Sequence, residues 1–382
     1  MQRSFYFVVG AGACLIGCCY GFARFAYGLF SPVFTDTFGL TSTVFGLIGA
    51  GSYAGYCAAI VVSMVLTERI GPRPVAIGAG VVATVGISIV AAAPSTPVLA
   101  IGVLVGGCST GIASPPLAAA VAQLMRGAVA DRAQTIVNAG TGIGVVVSGP
   151  VSLLLFGHWR IAWALFAIIT AAVTVWTAFA LPSAGASGDT GPREKTLRPG
   201  VSGLVAASLV AGVGSIAVWN FGRDVITTVG GAGPFESSAA WTVLGAAGIA
   251  GAFGGALVQR IGLRPAWILT TVAMAAATLA LALGSAHPVV TLTAPGVFGA
   301  AYVAMSGLLL LWSVRVYPDR TAFGVGLSFC TLAVGQALGA PAVGALIDSA
   351  GARTAFGACA LVGLLALLLR PAAEKAPVTV PG

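Results

Sequence analysis

Apolar residues run along this chain in long continuous stretches, separated by short clusters of glycine, proline and charge. A run of about 20 apolar residues is what a helix needs to cross a bilayer. Twelve such segments are predicted, at 5–30, 44–66, 75–93, 98–124, 134–156, 160–181, 201–229, 238–258, 266–285, 289–314, 321–346 and 354–370. The runs do not alternate at period two, which argues against a transmembrane β-barrel. The first follows Met1-Gln2-Arg3, as in a signal peptide, but continues to about Phe30. That exceeds the roughly 7–15 apolar residues of a cleaved signal, so it reads as an uncleaved first helix. One long polar stretch, PSAGASGDTGPREKTLRPG at 182–200, falls between the sixth and seventh segments. The expected architecture is therefore an all-α integral membrane protein of twelve transmembrane helices. Residues 1–181 form one six-helix bundle, 182–200 a linker, and 201–382 a second bundle with a short tail.

Composition narrows the class. Of 382 residues, 58% are hydrophobic and only 7% charged, against about 25% charged in soluble domains. A water-soluble enzyme and a disordered chain are both excluded. The net charge of +8 does not point to nucleic acid, because the basic residues gather in alternate loops. Arg69, Arg73, Arg126, Arg132, Arg193, Lys195, Arg198, Arg260, Arg264 and Arg315 share one side, against Arg160, Arg223 and Arg353 on the other. The positive-inside rule places the linker and both termini in the cytoplasm of a cell whose inner membrane holds the protein. The seven cysteines all lie in apolar stretches, with no CxxC pair and only His158 and His287 beside them. They read as small packing residues, and no metal or cofactor is expected.

The sequence repeats internally. Arg69-Ile70-Gly71-Pro72-Arg73-Pro74 recurs as Arg260-Ile261-Gly262-Leu263-Arg264-Pro265 at a spacing of 191, half the chain. The same spacing relates Gly144 to Gly335 and Pro150 to Pro341, and Asp131-Arg132 recurs as Asp319-Arg320 with a small drift. Parallel repeats of this kind build transporters whose substrate sits between the halves. With these features the chain resembles the major facilitator superfamily of secondary transporters over essentially its whole length. The family signature between spans two and three, roughly G-x-x-x-D-R-x-G-R-R, is matched in part by Ser63, Glu68, Arg69, Gly71 and Arg73. The resemblance implies that Glu68, Arg69 and Arg73, with Arg260 and Arg264 of the second copy, latch the halves on the cytoplasmic side. Gln259 replaces the acid in that copy, and both turns also read as plain topology determinants. The span-four arginine of many proton-coupled members has no counterpart in 102–116. The segment from Gly144 to Pro150 is similar to the span-five motif of drug/proton antiporters, with one extra residue. The stretch Gly21-Phe22-Ala23-Arg24-Phe25-Ala26-Tyr27-Gly28-Leu29-Phe30-Ser31-Pro32 is similar to the first-span motif of the bacterial YbfB/YjiJ family.

Polar residues inside spans face the bundle interior. Tyr20, Arg24 and Tyr27 recur every three or four residues and share one face of span one. Span seven offers Trp219, Asn220, Arg223 and Asp224, and span ten offers Tyr302 and Ser306. Because the family lines its cavity with spans one, four, seven and ten, these are favoured over Asn138, Ser148 and Gln336. Arg24 has no acid within its own span and suits a carboxylate ligand; its other reading is structural, bonding backbone carbonyls or reaching Asp224. Arg223 and Asp224 are the candidates for proton coupling. Trp159, Trp241, Trp267 and Trp312 are read as membrane-interface anchors. The expected function is alternating-access transport of a small organic solute, with an organic anion favoured. The alternatives are an efflux carrier with an apolar cavity and a non-transporting sensor of the same fold. No GxxxxGK[ST] motif occurs, so nucleotide is not the direct energy source, and an enzyme is not expected. The expected partners are the solute, a proton or counter-anion and the lipid bilayer, with no nucleic acid and a monomeric state.

Overall fold

The computed structural model describes residues 2–182, 198–318, 321–369 and 371. Most of the linker, the Asp319-Arg320 pair and Arg370 lie outside the described residues. Everything else is helix and short turn, and among the described residues there is no strand. Ten helices are long and apolar enough to cross a membrane. An eleventh span is a bent pair, Pro234–Gly251 and Gly254–Ile261, with 49° between its parts. The short apolar helix Ala352–Leu367 takes the twelfth position.

In chain order, span one comprises Gln2–Ile16, a π-helical stretch Gly17–Phe25, and Ala26–Leu29, and a short helix Ser31–Phe38 follows. Spans two to six are Ser42–Ile70, Pro72–Ala92, Thr96–Leu124, Gly127–Leu154 and Trp159–Ala180. Span seven is Val201–Asp224 continued by a π turn, Val225–Val229. After the bent span eight come Leu263–Gly284, Pro288–Val316 and Thr321–Ala350 as spans nine to eleven. Proline starts several of these helices, including Pro72, Pro234 and Pro288, where its missing N–H breaks no bond. The Pro115-Pro116 pair and Pro150 lie inside helices that run on through them.

The repeated hexapeptide becomes one repeated turn. Gly71 (φ 85°, ψ 166°) and Gly262 (φ 84°, ψ 163°) end spans two and eight in a conformation that a Cβ would strain. Each donates its N–H back to the preceding helix, Gly71 to Thr67 at 3.1 Å and Gly262 to Val258 at 2.8 Å.

Small residues let the helices approach closely, as expected where lipid supplies no hydrophobic drive between them. Within the first half, a Cβ on Gly144 would overlap the Gly17 carbonyl. Between the halves, a Cβ on Gly28 would overlap the Trp219 carbonyl, and one on Gly46 the Ala340 carbonyl. We call the end where span one begins the base and the end where span two begins the top. The halves join along spans two and eleven, spans five and eight, and the upper part of span one against span seven, whereas spans four and ten pack chiefly within their own halves. At the top, the Asp348 carboxylate of span eleven accepts the Ser42 and Thr43 N–H groups at 2.9 and 2.8 Å and the Thr43 hydroxyl at 2.6 Å. Toward the base, the Cys57 thiol donates to the Cys330 carbonyl at 3.5 Å, and Met64 faces Gly326.

The tryptophans depart from the interface-anchor expectation. Trp159, Trp241, Trp267 and Trp312 are all buried in protein. Trp267 donates its indole N–H to the Ala366 carbonyl at 3.0 Å, and Trp159 packs edge-on against Phe34. Trp241 donates its indole N–H to Ser148 Oγ of span five, across the halves, at 3.2 Å, so neighbouring helices cover these rings before lipid headgroups can.

Two glycine substitutions should separate folding from gating. Gly144→Ala should destabilise the first half by roughly 1–3 kcal/mol, the usual cost of overpacking, read as a lowered melting temperature in detergent. Gly28→Ala should leave melting nearly unchanged but lengthen the distance between spin labels at Thr37 and Thr354, two exposed positions at the top, in a background without native cysteines.

Candidate functional site

Arg24 lies near the end of the π-helical stretch of span one and is 7% exposed. Short π segments in helices are frequent at functional sites, because the wider turn redirects side chains. One guanidinium nitrogen, Nη2, donates to Gln336 Oε1 of span eleven at 2.8 Å. The remaining shell is aromatic. The guanidinium carbon is 4.4 Å from the Tyr53 ring centroid, 4.9 Å from Tyr56, 5.4 Å from Phe25 and 5.8 Å from Tyr20. A cation over such a ring gains about 0.5–1 kcal/mol when exposed and about 2 or more when desolvated. The ionisable neighbours of Arg24 include four tyrosines, Tyr53, Tyr302, Tyr20 and Tyr56, and the Cys57 thiol. No carboxylate pairs with it among the described residues.

Gln336 is the hub of this cluster. Its Nε2 donates to the Tyr302 hydroxyl at 3.2 Å and to Ser215 Oγ at 3.3 Å, so it ties span one to spans seven, ten and eleven. The Tyr53 hydroxyl donates to Asn220 Oδ1 at 3.3 Å. Trp219 stacks on Phe25 with centroids 3.9 Å apart and meets Tyr302 edge-on at 5.2 Å. Tyr20 and Ser114 of span four share a hydrogen bond of 2.9 Å. Three buried groups of the cluster have no partner, Arg24 Nε, Asn220 Nδ2 and Trp219 Nε1, and all three are donors.

The structure thus brings together Arg24, Tyr20, Trp219, Asn220 and Tyr302. It places Tyr27 elsewhere: its hydroxyl donates to the Phe45 carbonyl at 2.9 Å and its ring stacks on Phe45 at 4.1 Å. The wide π turns rotate the last turn of span one, so regular i, i+3, i+4 spacing fails between Arg24 and Tyr27. Ser306 is half-buried and donates to the Tyr302 carbonyl within its own helix at 2.9 Å. Sequence reasoning passed over Tyr53 and Tyr56 and ranked Gln336 below spans one, four, seven and ten. The available signal was two tyrosines three apart in span two, with one uncharged amide deep in span eleven.

Arg223 and Asp224 do not pair. The Arg223 guanidinium donates to the Leu29 carbonyl at 2.7 Å and to Ser237 and Ser238 Oγ at 3.3 and 3.4 Å. It caps the end of span one from across the halves. The half-buried Asp224 carboxylate has no partner among the described residues, while its backbone carbonyl accepts from Thr227 and Thr228. Consecutive helical residues point about 100° apart, which sends the two side chains to different neighbours. At the base, Glu68, Arg69 and Arg260 are exposed and Arg73 and Arg264 half-buried. The side chains of Glu68, Arg69, Arg260 and Arg264 make no hydrogen bond or ion pair among the described residues. The side-chain hydrogen bonds described between the halves at the centre and the top are thus joined toward the base by the Cys57–Cys330 bond and the Met64–Gly326 contact.

A family model described as Major Facilitator Superfamily matches residues 13–327 and again 231–382. The chain is 28% identical over 368 residues to a Pseudomonas aeruginosa protein described as transcription regulatory protein OpdE, covering 91% of this chain and 89% of that protein. Among solved structures, a point mutant of the nucleoside transporter NupG aligns at a TM-score of 0.77 with 13% identity, over 95% of this chain and 98% of that one. A bacterial homolog of the human lysosomal transporter Spinster, inward-facing and occupied, aligns at 0.76 with 14% identity over 95% of each chain. The xylose transporter XylE from E. coli, in an inward-open conformation, aligns at 0.76 with 15% identity, over 96% and 95%.

The top closure should depend on one carboxylate. Asp348→Ala removes three hydrogen bonds, of which those to a charged acceptor are worth about 1.5–3 kcal/mol apiece before rehydration. It should shift the Thr37–Thr354 label distance toward longer values by an equilibrium factor of about ten or more, with melting of each half little changed.

Proposed function

Because the chain belongs to the Major Facilitator Superfamily, we propose that it is a secondary carrier that binds a small organic anion at Arg24 and moves it by alternating access. The observation that carries this reading is a cation buried between the halves with no carboxylate among the described residues to neutralise it and an unused Nε–H. A charged residue at this depth costs at least about 2.5–3.5 kcal/mol on insertion scales. A ligand carboxylate is a natural counter-charge for it, and a guanidinium receives one with two parallel bonds. Trp219, Asn220 and Tyr302 complete the binding set, with Tyr20 at its span-four side. The termini and linker face the cytoplasm, and the resting carrier is closed at the top, away from the cytoplasm. Asp224, an acid without a partner, is the candidate proton carrier, and the Glu68, Arg69, Arg73, Arg260 and Arg264 turns form the cytoplasmic latch when the base closes.

A second reading has one observation in its favour. The relative from Pseudomonas aeruginosa carries a regulatory description, so a carrier fold that reports ligand binding without flux is the competing account. Flux separates the two. Reconstituted in proteoliposomes, the protein should accumulate or exchange a labelled organic anion, and Arg24→Ala and Arg24→Lys should each lower that flux by about 100-fold or more. Melting of Arg24→Lys should stay near wild type, because it keeps the charge against the tyrosine rings. Anion binding without flux would favour the sensor, and unchanged flux in Arg24→Lys would remove Arg24 from the site.

A further inference from the structure

The geometry points to an aromatic monocarboxylate as the ligand, taken up by Arg24 in exchange for its hydrogen bond to Gln336. This rests on the reading of Arg24 as an anion site and adds three properties of the ligand to it.

The first is charge. The central cluster holds one cation and, among the described residues, no acid. The other buried cation, Arg223, already has three acceptors at the top. One ligand charge therefore neutralises the cluster, and a second would enter without a partner. A monoanion fits and a dianion does not.

The second is hydrogen-bonding sense. Sugars and nucleosides present hydroxyls that both donate and accept, so their sites need side-chain acceptors as well as donors. Here the unpartnered buried groups are Arg24 Nε, Trp219 Nε1 and Asn220 Nδ2, all donors. The two amide oxygens each already take a donor, Gln336 Oε1 from Arg24 and Asn220 Oδ1 from Tyr53, and the hydroxyls of Tyr302, Ser215, Tyr20 and Ser114 are already engaged in hydrogen bonds. A ligand made of acceptors at one end and carbon elsewhere matches that inventory.

The third is shape. Rings of Tyr20, Tyr53, Tyr56 and Phe25 surround the guanidinium. Beyond Phe25 the aromatic wall continues through Trp219 to Phe298 and Tyr302. Flat rings favour offset stacked or edge-on partners by about 0.5–1.5 kcal/mol beyond area alone. A planar ring beside its carboxylate uses this wall better than a puckered or linear body.

Gln336 sets the exchange. It neutralises nothing, yet it holds Arg24 across the halves. A carboxylate is a stronger acceptor than a neutral amide, so ligand binding frees Gln336 and breaks the one side-chain hydrogen bond that Arg24 makes to the second half.

The test is calorimetric titration of the purified full-length protein with benzoate, cyclohexanecarboxylate, terephthalate and benzamide, in wild type, Arg24→Lys, Gln336→Glu and Tyr53→Leu. Benzoate should bind tightest, with cyclohexanecarboxylate and terephthalate each about tenfold weaker or more, and benzamide should not bind. Gln336→Glu gives Arg24 a resident counter-charge, so it should abolish benzoate binding while raising the melting temperature. Tyr53→Leu should narrow the preference for benzoate over its saturated analogue. Equal, Arg24-dependent binding of benzoate and cyclohexanecarboxylate would overturn the aromatic class and leave the anion site standing. Terephthalate binding tighter than benzoate would overturn the single charge. Benzoate binding retained in Gln336→Glu would overturn the exchange. If no carboxylate binds in an Arg24-dependent manner, the anion site itself falls and the present inference with it.

Discussion

A cation in a membrane interior must be satisfied by something, and around Arg24 the protein uses one amide and a set of rings in place of an acid. That choice is informative because the acid would have been the more stabilising solution. A buried Arg–carboxylate pair closes its own electrostatics and leaves no affinity over. Tyrosine and phenylalanine faces hold the guanidinium in place at about 0.5–2 kcal/mol each without cancelling its charge. The positive field is kept available at the centre, which is what the proposed function asks of it.

The internal repeat explains how such a site is assembled from two similar halves. At the spacing of 191, Gly28 is the counterpart of Trp219, and these two residues touch: the Gly28 Cα lies where a Cβ would overlap the Trp219 carbonyl. Equivalent positions meet only near the axis that relates the halves, so this contact marks it. Glycine on one copy leaves room for the backbone of the other. The same spacing makes Ser215 the counterpart of Arg24, and Gln336 bonds both. The repeat therefore supplies the frame, while the site arises where the copies diverge, with a cation on one side and a small hydroxyl on the other. The π segments diverge in the same way, at 17–25 in span one and 225–229 in span seven, which are not equivalent registers.

The fold was largely legible in the sequence because its signals are additive over many residues. Apolar runs of bilayer length, basic residues in alternate loops and a repeated glycine turn each average over local noise. Gly71 and Gly262 even share φ and ψ within a few degrees. The site was legible only in part. Arg24 stood out because a lone cation in an apolar helix is costly wherever it points. Its neighbours depend on helix rotation and on which halves meet, and neither is encoded by local pattern. Tyr27 shares the expected face by regular helical counting, but the π stretch before it turns the face away. Trp159, Trp241, Trp267 and Trp312 failed for the same reason: position near a span end says nothing of what packs outside it.

The two buried arginines show why a count of charges within spans does not locate a site. Arg24 and Arg223 are similarly buried, at 7% and 5% exposure, and both reach across the halves. Arg223 gives its N–H groups to a backbone carbonyl and two serine hydroxyls. The Leu29 carbonyl ends span one across the halves, whereas Ser237 and Ser238 begin span eight in the same half as Arg223, so two of its three acceptors stay with it whatever the halves do. It is a cation used as a cap. Arg24 has one acceptor, a side-chain amide whose other hydrogen bonds go to Tyr302 and Ser215. Removing that acceptor leaves a whole face of the guanidinium open while the rings still hold its position. What separates the two arginines is how many of their donors the fold has already used, and it is by that measure that the proposed reading puts the receipt of a charge at the centre of the bundle and not at the top.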